Sequence, residues 1–136
     1  RALIAARPAA AVGVAGFANL DAAVEWALEQ RRSIVAVCAG ELGGRSVEDE
    51  VCAGLLVERV LRRCAGAEAG PAARAALETG RPYATDPARL GQDSPHARRL
   101  TSRGRGGDVG ACLTLGGFGL VPIYRPDVDK VVSPYR

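Results

Sequence analysis

Aromatic side chains make up only 4% of this 136-residue chain, and methionine is absent. With so few large rings, the core has to be filled by Ala, Val and Leu, which suits helices packed closely on a sheet better than a β-sandwich. Histidine occurs once and there is no C-x-x-C pair, which argues against a zinc site. No apolar run approaches the ~20 residues of a membrane span, and no basic start followed by an apolar centre marks a signal peptide. The net charge of +3 is too small to point to nucleic acid, yet it is compatible with small anionic ligands. A soluble, cytoplasmic protein with neither nucleic-acid nor membrane partners is expected, and homo-oligomerisation stays open. An initiator Met is also missing, and the chain opens at Arg1 in what reads as mid-element. The expectation is a fragment, or a chain without its N-terminal part.

Four cysteines stand at positions 38, 52, 64 and 112. Cys52 and Cys64 fall on one expected helix, about 18 Å apart at 1.5 Å rise per residue, too far to bridge. Cys38 lies in an apolar run. Buried free thiols in a reducing compartment are therefore expected.

Nearly half of the residues are apolar and charge of both signs is moderate, so one folded domain spanning 1–136 is expected. Residues 1–7 read as the end of a helix stopped by Pro8. Residues 10–17 read as a buried parallel strand, and Asn19 as the N-cap of a helix over 20–30. A second apolar strand, 33–38, completes a βαβ unit with a right-handed crossover. A glycine-rich turn, 39–46, leads into an amphipathic helix over 47–63, with Glu58, Arg59, Arg62 and Arg63 facing away from its apolar stripe. Gly54 inside that helix costs about 1 kcal/mol relative to Ala, a cost that close approach of another backbone would justify. A short helix over 72–78 follows, and 80–92 has no periodicity and reads as a surface connection. Ser94 and Pro95 make a good cap and first residue for a helix over 96–102. Asp108 can cap a turn over 109–115. Residues 120–124 form a late strand whose Pro122 favours an edge, and 125–136 is a polar, peripheral tail. The fold class is α/β: a layered α/β/α arrangement with a mainly parallel sheet, part of a larger domain.

The stretch 33–63 is where chemistry is expected. A strand, a glycine turn and a helix together present backbone N–H groups to a phosphate. Gly40, Gly43 and Gly44 permit a tight turn and close approach of a ligand. Glu48 and Asp49 stand in the first helical turn, where two carboxylates beside a phosphate would call for a cation between them. Two readings stand side by side. Ser46 and Asp49 also fit a capping box, and acids are ordinary at a helix start. Arg45 reads either as an anion-binding group or as a solvated loop arginine. Asn19 is either a cap or a ligand-facing residue at the same sheet edge, and Asp108 either a cap or a further carboxylate. His96 reads as a surface residue in a first helical turn. The arginines between 98 and 105 lack interleaved aromatics, which argues against RNA.

Cys38-Ala-Gly-Glu41, Ser46-Val-Glu-Asp-Glu-Val-Cys-Ala-Gly54 and Leu55-Leu-Val-Glu-Arg59 together resemble the signature segment of the 2-phosphosulfolactate phosphatase family, which serves coenzyme M biosynthesis. The resemblance runs back through Gly16-Phe-Ala-Asn19 to Arg1. Forwards it is looser, from Ser94 to Leu100, through Gly107, Asp108 and Val109, to Val121 and Pro122. It covers the C-terminal part of the family's longer members. It implies Mg²⁺-dependent hydrolysis of a small phosphorylated acid to sulfolactate and phosphate. Glu48 and Asp49 would be catalytic, and with Asp108 would be the metal ligands. Asn19, Gly40, Gly43, Gly44 and Arg45 would bind the anionic substrate. Hard oxygen donors suit Mg²⁺, which commonly takes one or two carboxylates plus substrate phosphate. A module that binds such an anion without turning it over is the alternative.

Overall fold

The computed structural model describes residues 2–133; Arg1 and residues 134–136, the end of the expected tail, lie outside the described residues. A short helix, α1 (Ala2–Ala6), ends ahead of Pro8. A single tight turn over Phe17–Asn19 feeds α2 (Leu20–Glu29). The long α3 (Val47–Arg63) and α4 (Pro71–Gly80) follow. Three short helices come next: α5 (Leu90–Asp93), α6 (Pro95–Ser102) and α7 (Gly106–Cys112). Strands β1 (Ile123–Arg125) and β2 (Lys130–Val132) pair antiparallel. The fold is thus mixed helix and strand, with helix dominant. Among the described residues, no helix is long and apolar enough to cross a membrane.

The core is a helical one. Phe17 and Leu20 at the start of α2 meet Val51 and Leu55 of α3, and Leu90, Ala97, Val109 and Leu113 close it from α5, α6 and the end of α7. Leu20, Leu55 and Leu90 are essentially inaccessible, and each such side chain contributes about 1.5–3 kcal/mol relative to exposure. Residues 80–92, expected as surface connection, instead bring Leu90 into this core through two single-turn helices and α5.

Helices α3 and α4 cross at a glycine pair. A Cβ on Gly54 would lie 2.0 Å from the Ala76 carbonyl oxygen, and one on Gly80 would lie 3.1 Å from Gly54 Cα. The contact is backbone on backbone, so the helix-propensity cost of Gly54 is offset by a closer crossing. On the opposite side α3 meets α2 through charge. Arg59 pairs with Asp21 at 2.9 Å, and Arg63 reaches Asp21 and Glu25 at 3.4 Å each. The expectation that Arg59 faces away is corrected: its side chain is only 17% exposed, laid along the helix pair with its guanidinium on Asp21.

The expected parallel sheet is not present among the described residues. Residues 12–14 do pair, but antiparallel and with β1: Val14 N–H donates to Pro122 O at 2.8 Å, and Tyr124 N–H to Val12 O at 2.9 Å. Ile123 therefore has neighbours on both flanks, Gly13 and Val132. The edge position expected from Pro122 is corrected as well. Its missing N–H costs nothing here, because the ladder uses its carbonyl. Residues 33–38 form no strand, and the expectation that they are buried is reversed. Ile34, Val35 and Val37 are 37%, 80% and 49% exposed. Helices α2 and α3 on either side of the segment pack on each other, and no described strand lies alongside it. Cys38 is exposed for the same reason, and so is Cys112, while all four cysteines are free. At the other end, Arg7, Tyr124 and Asp129 form a polar knot. Tyr124 donates to Asp129 at 2.5 Å, and Arg7 to both at 3.0 and 2.9 Å.

Candidate active site

Two helix starts meet at one carboxylate. Ser46 is the N-cap of α3, its hydroxyl accepting from Asp49 N–H at 3.2 Å. Ser94 is the N-cap of α6, accepting from the N–H groups of His96 and Ala97 at 3.1 and 3.2 Å. Each hydroxyl then has its proton free to donate, and both donate to Glu48: Ser46 to Oε2 at 3.1 Å and Ser94 to Oε1 at 2.5 Å. Ser94 is fully buried, which places a charged acceptor against a protein wall at the positive ends of two helices. Burial is the largest single influence on Glu48 and opposes its ionisation. The bonds from Ser94, its own backbone N–H and Ser46, with the field of His96, together outweigh it and hold the carboxyl below its ordinary value.

Asp49 turns the other way. Its Oδ2 accepts from Gly40 N–H at 2.8 Å, so it ties the glycine turn to the helix start. The capping box expected at Ser46 is half present, since the Asp49 carboxylate serves Gly40 in place of the cap residue. Within the turn, Glu41 and Gly44 exchange backbone hydrogen bonds at 3.1 and 2.7 Å. Leu42 and Gly43 between them have φ of 50° and 86°, as in a type I′ hairpin turn. The N–H groups of Glu41 and Gly44 are thus spent inside the turn, and that of Gly40 on Asp49.

A concavity of about 410 Å³ opens beside this turn, with Gly40, Gly43, Gly44, Arg45, Ser46 and Glu50 among its walls. Arg45 is 87% exposed and grips Glu50 through two bonds, of 2.5 and 2.8 Å. That pair first of all lowers the Glu50 carboxyl, but an exposed ion pair is worth at most about 1 kcal/mol and yields to a competing anion. A larger concavity of about 550 Å³ lies away from the turn, where Arg59, Arg62 and Arg63 face Asp21 and Glu58. Its three arginines are held in a network of ion pairs with Asp21, Glu25 and Glu58, against the single exposed pair beside the turn.

The expected site residues therefore fall into separate groups. Gly40, Gly43, Gly44 and Arg45 wall the concavity, Asp49 braces it from behind, and Glu48 points to α6, with Ser46 touching both sides. Asn19 stands apart. Its side chain makes no cap bond on α2; it accepts from Gly16 N–H at 2.8 Å and donates to Val14 O and Leu120 O at 3.0 and 2.9 Å. It is a latch between two loops. Asp108 pairs with Arg105 at 3.1 Å on the exposed start of α7. Among the described residues, no group of three or more His, Cys, Asp or Glu side chains could hold a metal ion. Glu48 and Asp49 fit Mg²⁺ in donor chemistry, as one or two hard carboxylates to be completed by substrate oxygens and water. A three-carboxylate set including Asp108 does not assemble.

Sequence reasoning missed Glu41, Ser94 in its role toward Glu48, and the His96–Arg99 pair. His96 Nδ1 lies 2.6 Å from Glu41 Oε1, and Arg99 donates to the same oxygen. The signal available was the spacing of Ser94, His96 and Arg99 along one short helix, but nothing local connects that helix to Glu41, 55 positions away.

Comparison with known proteins places the chain in a family. A phosphatase class is indicated first, by the match of residues 1–127 to the profile described as 2-phosphosulpholactate phosphatase. The chain belongs to that family. It is 38% identical over 108 residues to a probable 2-phosphosulfolactate phosphatase of Thermotoga petrophila, covering 79% of this chain and 45% of the relative. A probable 2-phosphosulfolactate phosphatase of Thermotoga maritima is 36% identical over the same length and coverage. One of Caldanaerobacter subterraneus is 29% identical over 117 residues, covering 86% of this chain and 48% of the relative. The chain thus spans somewhat less than half the length of the relatives it matches.

Proposed function

We propose that the chain forms part of a phosphatase that hydrolyses 2-phosphosulfolactate, or a similar small phosphorylated acid, to sulfolactate and phosphate. The observation that carries the reading is Glu48: an ionised carboxylate held at two helix starts, within the segment that resembles the family's signature. Mg²⁺, when bound, would neutralise charge on the phosphate and favour attack by water. Glu48 would hold it, with Asp49 keeping the glycine turn in register. Arg45, released from Glu50, would meet the sulfonate or carboxylate end of the substrate, and the walls of Gly40, Gly43 and Gly44 would let the ligand approach the backbone. The partner is a small anion, with no role for nucleic acid or a membrane, and the four free thiols support a reducing, cytoplasmic setting.

The same reading covers the finer fold. Exposed Ile34, Val35 and Val37 support residues 33–38 as a strand of a parallel, layered sheet in the full-length protein, as β-branched runs favour. The test of function is phosphate release from 2-phosphosulfolactate by the full-length protein, with Mg²⁺ and with excess chelator. Turnover that requires Mg²⁺ is expected. Tight binding of the ester without release of phosphate would instead identify an anion-binding module.

A further inference from the structure

From the pairing of His96 with Glu41 we infer that His96 is the general acid of the site, delivering a proton to the leaving alcohol, with Glu41 as its positioning residue. The inference rests on the phosphatase reading and goes beyond it, because neither residue belongs to the metal-binding set. His96 stands in the first turn of α6, and its backbone N–H donates to Ser94 Oγ, the hydroxyl that donates to Glu48. The His96 main chain is therefore one hydrogen-bonded oxygen away from the carboxylate proposed to hold Mg²⁺, while its ring reaches Glu41 in the glycine turn.

The ring is oriented rather than loose. An ionised carboxylate only accepts, so the 2.6 Å contact with Glu41 Oε1 requires the proton on Nδ1. Arg99 comes within 3.1 Å of Nδ1 because both groups donate to the same Glu41 oxygen, not because the guanidinium donates to the ring. The Glu41 backbone is held by its N–H and C=O, both bonded to Gly44 across the hairpin turn, and its carboxylate by His96 and Arg99. A carboxylate on Nδ1 fixes the tautomer and the ring orientation, the arrangement by which carboxylates orient catalytic histidines elsewhere. Nε2 has no hydrogen-bond partner among the described residues, and the side chain is 38% exposed. A buried structural histidine would have spent both nitrogens. Here one is anchored and the other is open to a ligand.

The step balances without a further reactant. Water oxygen forms a new bond to phosphorus as the ester P–O bond breaks. The Nε2 proton of imidazolium passes to the departing alkoxide, giving the alcohol. The water's proton leaves on the product phosphate or to solvent, and His96 is reprotonated from solvent.

A leaving group that needs no proton separates this role from a structural one. The full-length protein, its His96→Ala and its Glu41→Gln variants would be assayed on 2-phosphosulfolactate, an alkyl ester, and on p-nitrophenyl phosphate, an aryl ester with an acidic leaving group. His96→Ala is expected to lower kcat on the alkyl ester by about 100-fold or more, with KM within about threefold, while the aryl ester loses less than about fivefold. Glu41→Gln is expected to show the same selectivity with a smaller loss. The ratio of the two activities is independent of the folded fraction, so partial misfolding does not obscure it. A wild-type protein inactive on both esters removes the phosphatase reading and this assignment with it. An active wild type whose His96→Ala variant keeps alkyl-ester kcat within about threefold, or loses both esters equally, overturns the assignment of His96 alone.

Discussion

Ser94 is fully buried, and its hydroxyl serves three partners: two α6 N–H groups that it accepts from and the Glu48 carboxylate that it donates to. Ser94→Ala removes a helix cap worth about 1 kcal/mol and leaves a carboxylate short of a bond worth about 1–3 kcal/mol. Urea unfolding should show a loss of about 2–4 kcal/mol; a loss under about 0.5 kcal/mol, as at ordinary surface sites, would mean the bond is not made. The same bonds set a pH dependence. Because the Glu48 carboxyl is held below its ordinary value in the folded state, it contributes stability above the ordinary value. That stability is lost as pH falls through the depressed one. Glu48→Gln should therefore flatten the acid limb of stability against pH in urea titrations, and an unchanged acid limb would contradict the assigned shift. Cys52 behaves oppositely: burial first, then the charges of Asp49 and Cys38, push its thiol up to about 12. A thiol reagent at neutral pH should modify exposed Cys38 and Cys112 and spare Cys52, as mass spectrometry can check; equal labelling of Cys52 would show that the α3 face is open. At this scale the caps at Ser46 and Ser94 were legible, because cap residues announce themselves within a few positions. The Ser94–Glu48 bond was not, because it joins residues 46 positions apart.

Helix α3 was legible from end to end, from Ser46 to Arg63, because its cap, apolar stripe and basic last turn agree. Gly54 also announced a close approach, although its partner, Gly80, sits at the end of α4 where a glycine reads simply as a stop. Gly54→Ala would gain about 1 kcal/mol of helix propensity and set a methyl group against the Ala76 carbonyl. Backbone cannot rotate out of the way as a side chain can, so a net loss of about 1–3 kcal/mol is expected in thermal or urea unfolding. An unchanged or raised midpoint would show that α3 and α4 do not cross there. The elements that sequence did not reveal share one cause. Helix α5 has four residues, too few to display a helical period, so Leu90 could not be placed in the core. Residues 33–38 and 10–17 are apolar runs whose pairing depends on distant partners, and a β-branched run reads the same whether covered or exposed.

Over the whole molecule, residues 1–127 carry the family's pattern while the chain spans somewhat less than half of its relatives' length. The sheet that is present is small and antiparallel, and the site residues sit on the helical side, at the starts of α3 and α6. Family membership was legible because its signature is contiguous, from Cys38 to Arg59. The grouping of the site was not, since linear order puts Glu48 and Asp49 together and the fold sends their carboxylates apart, one to Ser94 and one to Gly40. The central claim is that Glu48 is a working carboxylate and not only a partner of two caps. Its most direct test is phosphate release from 2-phosphosulfolactate at saturating Mg²⁺ by the full-length protein and its Glu48→Gln variant, each shown to be folded by its unfolding midpoint. The amide keeps the size, and its one carbonyl oxygen can still accept from Ser94, but its NH2 cannot accept from Ser46 and it has no charge for a metal. A fall in kcat/KM of about 100-fold or more is predicted, some 2.7 kcal/mol of transition-state stabilisation. Equal release by the folded variant would reduce Glu48 to a structural group at a helix start.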